Sequence, residues 1–272
     1  MDEIDFYIKE DLGEEGDITS NAIFTNETGR AVIVANENCI VAGLEEAKEV
    51  FDRIGAKFEA KCKDGENVRK GEVVAEVHGK IRCILAGERL ALNIISRMSG
   101  IATETRELLD ICRKKNPNVN IAATRKTTPG FRKYEKKAVE LGGGESHRFG
   151  LYDAVLIKDN HIKAVGSVRE AIRRVKGRIK NKFVEVEVES VRDAIVAAEE
   201  GVDAILIDNA TPETAQRIAS EIRKINPKIL IEISGGIRKD NIAKYAPFAN
   251  RISLGYITHS IRSRDFSLEI II

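Results

Sequence analysis

Five basic side chains fall in three short segments of the 272-residue sequence: Arg125 and Lys126, His147 and Arg148, and Lys158. Gathered in one place they repel each other unless an anion sits among them. Arginines suit carboxylates or phosphates held by paired N–H donors, and lysines suit a point charge on a pyrophosphate. Solvated loop charges are the plain alternative, since most Lys and Arg are exposed. Glu187 and Asp208 form the complementary acidic pair. Two carboxylates facing a basic pocket could hold Mg²⁺ with a polyphosphate, or the hydroxyls of a ribose. Internal ion pairs with Lys158 and its neighbours would explain them equally well. Glu185 and Glu189 share Glu187's side of an extended chain, because side chains alternate with a period of two. Ser234-Gly235-Gly236-Ile237 and Leu254-Gly255 complete the set. Glycine lets a backbone N–H approach a phosphate closely, and a helix N-terminus adds favourable polarity. A tight turn is the simpler use of the same residues.

Other chemistries have little support. Four histidines occur, and two of them, His147 and His161, lie near the basic segments; no H-x-x-x-H or H-E-x-x-H spacing suggests a zinc hydrolase. Cys39, Cys62, Cys83 and Cys112 form no C-x-x-C pair, which disfavours a zinc ribbon or a thioredoxin-like site. The segment from Asp64-Gly65 to Lys70-Gly71, with Lys80 beyond it, is similar to the hairpins of biotinyl and lipoyl carriers, but Ile81-Arg82-Cys83 is the wrong context for an acylated lysine. Basic and acidic residues nearly cancel (44 against 43), so a polyanion-binding surface and a nucleic-acid partner are not expected. No apolar run approaches the roughly 18 residues of a membrane span, and the acidic start is unlike a signal peptide. A soluble, cytoplasmic protein is expected. Trp is absent and Gln216 is the single glutamine, a bias that suits a hot environment.

These residues need elements to bring them together. After Pro117 the sequence alternates strand and helix. The expected strands are 119–123, 154–157, 183–188, 204–207, 229–233 and 251–254, and the expected helices are 134–141, 168–175, 191–200, 212–225 and 241–245. Such alternation implies a parallel sheet, because each crossover returns the chain to the same end. Nearly every strand ends in a polar or glycine cluster, and only a β/α barrel brings all those ends to one mouth. Six strands rather than eight imply an open barrel whose gap needs a cover. The first hundred residues read differently: short strands between 30 and 42 and at 58–61, 73–77 and 80–84, a helix over 44–54, and a helix from Glu88 to about Lys115. They read as an α+β unit with a helix leading out of it into the barrel.

The motifs in order resemble one family. Gly16-Asp17-Ile18-Thr19-Ser20, Gly87-Glu88-Arg89-Leu90-Ala91-Leu92-Asn93, Thr124-Arg125-Lys126-Thr127-Thr128-Pro129-Gly130, Gly142-Gly143-Gly144 with His147-Arg148, Leu156-Ile157-Lys158-Asp159-Asn160-His161, Glu185-Val186-Glu187-Val188-Glu189, Ile207-Asp208-Asn209 and Glu232-Ile233-Ser234-Gly235-Gly236-Ile237 together look like the quinolinate phosphoribosyltransferases. The resemblance spans essentially the whole chain and implies a smaller N-terminal α/β-sandwich domain over 1–105, to which a tail over about 261–272 returns, and an open six-stranded α/β barrel over 106–260. It implies transfer of a phosphoribosyl group from 5-phosphoribosyl-1-pyrophosphate to quinolinate with Mg²⁺ and loss of CO₂, in NAD biosynthesis, by a dimer or hexamer with shared active sites. By resemblance, Thr124, Arg125, His147 and Arg148 hold quinolinate, with Arg89 reaching in from a neighbouring subunit. Lys126 and Lys158 bind the pyrophosphate side, and Lys158 also touches a substrate carboxylate. Glu187 and Asp208 face ribose and metal, and Ser234, Gly235, Gly236 and Gly255 cradle the 5′-phosphate. Lys126, Lys158, Glu187 and Asp208 are the expected catalytic group. Tyr256 and the Pro247-Phe248-Ala249-Asn250 turn depart from the family pattern in packing positions.

Two rival enzymes remain at this stage. One is a paralogous phosphoribosyltransferase associated with molybdate transport, which would alter the substrate arginines. The other is a barrel lyase using Lys158 as a Schiff base, which needs a desolvated, neutral amine.

Overall fold

A computed structural model describes residues 2–271. In chain order its elements are α1 (Glu3–Leu12), α2 (Ile18–Ile23), β1 (Thr28–Ala35), β2 (Cys39–Ile40), α3 (Leu44–Ile54), β3 (Lys57–Ala60), β4 (Asn67–Val68), β5 (Val73–Lys80), α4 (Ile81–Arg113), β6 (Asn120–Ala122), α5 (Arg132–Leu141) and β7 (Val155–Ile157). They continue as α6 (Asp159–Val165), α7 (Val168–Arg178), β8 (Val184–Val188), α8 (Val191–Glu199), β9 (Ala204–Asp208), α9 (Pro212–Ile225), β10 (Leu230–Ser234), β11 (Arg251–Ser253), α10 (Tyr256–His259) and β12 (Phe266–Ile271). Two compact units result. Among the described residues, the first comprises 2–106, 127–143 and 257–271; the second comprises 107–126 and 144–256. Residues 127–143, which the strand–helix rhythm assigns to the barrel segment, thus group with the first unit.

The first unit is built on an antiparallel sheet of order β12-β1-β5-β3. β12 pairs with β1 from Ala35–Phe266 to Arg30–Ile271, so the end of the chain completes the sheet. Its long helix, α4, has 33 residues and is about 50 Å long at 1.5 Å per residue. Ile81–Ile84 does not form the strand expected from its β-branched residues. Ile84, Gly87 and Ala91 continue the apolar stripe of α4 at helical spacing, and Ile84 and Ala91 are fully buried. Glycines let neighbours close on this helix. A Cβ on Gly87 would lie 2.7 Å from the Phe51 ring, and one on Gly100 would overlap the Arg262 carbonyl. The helices α1 and α2 have no counterpart in the sequence reading; each starts at an aspartate, Asp2 and Asp17, whose carboxylate accepts backbone N–H bonds.

The second unit is an open barrel of six parallel strands in the order β6-β11-β10-β9-β8-β7, with β6 and β7 at its edges; Glu145 bridges to the outer side of β6 at Ala122. Its helices start on hydroxyl caps: Ser167, Ser190 and Thr211 each accept an N–H from the first turn of α7, α8 and α9, and Pro212 opens α9. The helix expected over 241–245 shrinks to one 3₁₀ turn, Ile242–Lys244. The six strands alternate, turning Val and Ile toward the helices. β8 is the clearest case. All five residues of Val-Glu-Val-Glu-Val are buried, which forces Glu185 and Glu187 into the barrel interior. No helix among the described residues is long and apolar enough to cross a membrane.

Candidate active site

The C-terminal ends of the six strands enclose a cavity of about 360 Å³. β6 leads into Thr124, Arg125 and Lys126; β7 contributes Leu156 and leads into Lys158. β8 contributes Glu187, β9 Leu206 and Asp208, β10 Glu232 and Ser234, and β11 Ser253, while His147 and Arg148 enter from the loop before β7. Nine residues singled out from the sequence therefore meet at one mouth, as parallel strand ends in a barrel require. Gly235, Gly236 and Gly255 follow the ends of β10 and β11 but do not line the cavity. Arg89 lies on α4 in the first unit, 65% exposed and 3.9 Å from Glu88. A larger cavity of about 560 Å³ lies beside the edge strand β7. Its walls are mostly aliphatic, and Leu151 and Tyr152 on its rim are 73% and 76% exposed.

The charges in the smaller cavity are arranged in two groups. Lys158 Nζ donates to Glu187 Oε2 at 3.0 Å. Burial and the neighbouring Glu187 push the Asp208 carboxyl above its ordinary value, against the pull of Lys158 and Lys126. Two partly buried carboxylates sharing lysines still favour a further cation. On the other side, burial and the nearby Arg125 lower Arg148 from its ordinary value. This is the like-charge crowding that an anion relieves. Thr124 Oγ1 accepts from the Lys126 amide at 3.1 Å and shapes the turn that carries both basic residues.

His147 sits deeper. Its Nε2 lies 3.0 Å from Glu232 and 3.4 Å from Glu185. Burial pulls the imidazole down, but the two carboxylates outweigh it and push it up to about 9. The Arg148 amide nitrogen lies 2.7 Å from Nδ1 and donates to it in the neutral ring, while Nε2 holds its proton toward the two carboxylates in either state. His161, by contrast, does not reach the cavity. Its Nδ1 accepts from the Lys158 amide at 2.9 Å and closes the first turn of α6, where the sequence suggests a basic loop.

Gly235 has a local steric reason as well as a phosphate-binding one. Its φ is 85°, and a Cβ there would overlap Asn209 Oδ1. Asn209, itself at φ 51°, donates from its amide N–H to the Ser234 carbonyl at 3.0 Å and from its side chain to Asp208 Oδ2 at 2.7 Å. The β10 turn is thereby tied to the acidic pair.

Sequence reasoning missed Glu232, Arg251 and Ser253. Glu232 lies inside β10 and Arg251 opens β11, both away from the C-terminal strand ends, while Ser253 is the last residue of β11, just before the Leu254-Gly255 motif. One signal was available: in Ile231-Glu232-Ile233 and Arg251-Ile252-Ser253 the polar residues hold the inward-facing positions of otherwise apolar strands.

Residues 17–99 match the family described as Quinolinate phosphoribosyl transferase, N-terminal domain, and residues 101–269 match its C-terminal domain. The chain is 48% identical over 259 residues to a probable nicotinate-nucleotide pyrophosphorylase [carboxylating] of Archaeoglobus fulgidus, covering 94% of this chain and 98% of that one. To the human nicotinate-nucleotide pyrophosphorylase [carboxylating] it is 36% identical, over 89% of this chain and 82% of that one. Among solved structures, the nicotinate-nucleotide pyrophosphorylase from Francisella tularensis superposes with a TM-score of 0.92 at 33% identity, covering 98% of this chain and 94% of that one.

Proposed function

Because the chain belongs to the quinolinate phosphoribosyltransferase family, matched in both domains, we propose that it joins quinolinate to 5-phosphoribosyl-1-pyrophosphate, releasing nicotinate mononucleotide, pyrophosphate and CO₂ in NAD biosynthesis. The observation that carries this reading is the division of one cavity into a side with two arginines and a histidine and a side with two carboxylates and two lysines. A pyridine dicarboxylate fits the first; a ribosyl donor with a polyphosphate fits the second.

In this reading Thr124, Arg125, His147 and Arg148 bind quinolinate and aim its ring nitrogen at the ribose anomeric carbon. Lys126 and Lys158 receive the departing pyrophosphate, and Lys158 also reaches a substrate carboxylate. Glu187 and Asp208 hold the ribose hydroxyls and stabilise the positive charge that develops on the sugar as the C–O bond breaks. Ser234, Gly235, Gly236 and Gly255 fix the 5′-phosphate, so that both reactants are held in line. The acidic pair also fits Mg²⁺, because two crowded carboxylates leave negative charge over beside Lys158. When bound, the ion neutralises pyrophosphate charge. The new N–C bond makes the ring nitrogen cationic, and that charge stabilises the carbanion left when the adjacent carboxylate departs as CO₂. No protein nucleophile is needed. Lys158 donates to Glu187 and its side chain is 47% exposed, unlike the desolvated amine that a Schiff-base lysine needs.

The direct test is stoichiometry. With quinolinate labelled at the 2-carboxyl, the donor and Mg²⁺, labelled CO₂, pyrophosphate and nicotinate mononucleotide should form in equal amounts. Nucleotide without CO₂ would overturn the assignment.

The same reading implies a cytoplasmic homo-oligomer, as a dimer or hexamer, with active sites completed across subunits. The open edge of the barrel at β7 and the exposed apolar cavity beside it support this, because a symmetric pair covers the gaps of both subunits at once. Arg89, exposed and only loosely paired with Glu88, is the residue offered to the partner's quinolinate. Inactive Arg89→Ala and Lys158→Ala subunits should regain activity on mixing, since a mixed dimer has one site with both lesions and one with neither. Confirmed subunit exchange without recovered activity would show that Arg89 serves no neighbouring site.

A further inference from the structure

On the inward faces of β8, β10 and β11, charged side chains converge on the His147 ring. Glu232 Oε2 accepts from His147 Nε2 at 3.0 Å and also from Arg251 Nε. Arg251 reaches Glu185 at 3.4 Å and Glu145 at 3.2 Å with its terminal nitrogens. Glu185, Glu232 and Arg251 are each no more than 9% exposed. Inward positions of such barrels ordinarily carry Val, Ile or Leu. Replacing buried ion pairs by apolar side chains of similar volume is often neutral or stabilising, so stability alone does not account for these three. The division of labour proposed above uses neither Glu185, Glu232 nor Arg251.

His147 supplies the reason. Its φ of 54° is a conformation that a non-glycine residue adopts at a cost. Both ring nitrogens are engaged, Nε2 with Glu232 and Nδ1 with the Arg148 amide. Fixing the ring therefore fixes the direction in which Arg148 leaves the backbone. We propose that Arg251 is a positioning residue: by gripping Glu232 and Glu185 it immobilises the His147 ring, and through it the Arg148 side chain, so that the quinolinate pocket is set before substrate arrives. This rests on the assignment of quinolinate to the arginine side of the cavity. A bound metal is the competing use of the same groups, since ligand atoms of His147, Glu185 and Glu232 lie within 4.8 Å of one another. Arg251 already supplies a cation to both carboxylates, and a metal would have to displace the Nε2 proton.

Arg251→Met should raise KM for quinolinate about tenfold, the scale of a lost charge-assisted hydrogen bond, and leave KM for the ribosyl donor within about twofold of wild type. Arg251→Lys should restore part of the loss. In ¹⁵N-histidine spectra, where four residues contribute, the His147 ring signals should shift and broaden in Arg251→Met. Should that variant not fold, Glu232→Gln keeps the side-chain shape and carries the same readouts with the same expected direction. Parallel losses for both substrates, an unchanged quinolinate KM in a folded variant, or an undisturbed His147 ring would overturn the proposal. If wild-type protein fails to consume quinolinate, the functional reading falls, while the ring signals still report whether Arg251 holds His147.

Discussion

Offered separately with 5-phosphoribosyl-1-pyrophosphate and Mg²⁺, quinolinate should be consumed about 10⁴-fold more efficiently than nicotinate, measured as kcat/KM. The reason is the crowding of Arg125 and Arg148, each lining the cavity. Arg148 is lowered from its ordinary value by burial and by Arg125, so the empty site is strained electrostatically. Quinolinate brings two carboxylates and relieves both guanidiniums. Nicotinate brings one and leaves a half-buried cation uncompensated. Sites built around polar groups reject analogues that leave those groups unpaired by about 10⁴ to 10⁵. Nicotinamide, with no carboxylate, should be poorer still. Comparable efficiency with quinolinate and nicotinate would remove the basis for assigning the arginines to a dicarboxylate.

The second large effect concerns the acidic pair. Glu187→Ala and Asp208→Ala should each lower kcat about 10² to 10³-fold, the scale seen when a group that stabilises developing charge is removed. Quinolinate affinity should change by only a few-fold, because the arginine side of the cavity is built from other strands. Glu187→Ala has an additional consequence: it leaves Lys158 without its partner at 3.0 Å. The freed ammonium is available to pyrophosphate, so donor binding should hold or tighten while turnover falls. Loss of quinolinate binding with turnover intact would reverse the assignment of the two sides.

The placement of these residues was largely legible because the barrel imposes it. A strand period of two and a helix period of 3.6 locate the strand ends, and parallel strands bring those ends together. Thr124, Lys158, Glu187, Asp208 and Ser234 were found in that way. The interior network was not legible, because Glu232 and Arg251 reveal their purpose only through cross-strand register: Glu232 pairs opposite Arg251 on the neighbouring strand. Lys80–Ile84 was misread because β-branched residues suit either element, and only the buried stripe of α4 decides between them. Lys158–His161 was read as loop because its helix has seven residues, too few to show a period. β12 alternates Phe266, Leu268 and Ile270 with Ser267 and Glu269, but nothing in the segment identifies its partner strand; the tail's return to the first domain came from family resemblance alone.

The division of the chain also governs how it is made. In the first unit, β1 lies between β5 and β12, and β12 follows all six barrel strands in the chain. The barrel's sixth strand ends at Ser253, so every barrel strand leaves the ribosome before β1 acquires its second neighbour. Domains generally fold in the order of synthesis, N-terminal first. Here the order is inverted: the first unit waits for a strand that follows the barrel. A nascent chain stopped before Phe266 has a complete set of barrel strands and an unpaired edge along β1, whose buried Ala31, Ile33 and Ala35 belong to the core. Such an edge is a template for pairing with another chain, so termination before β12 exposes this protein to aggregation although the barrel strands have all been made.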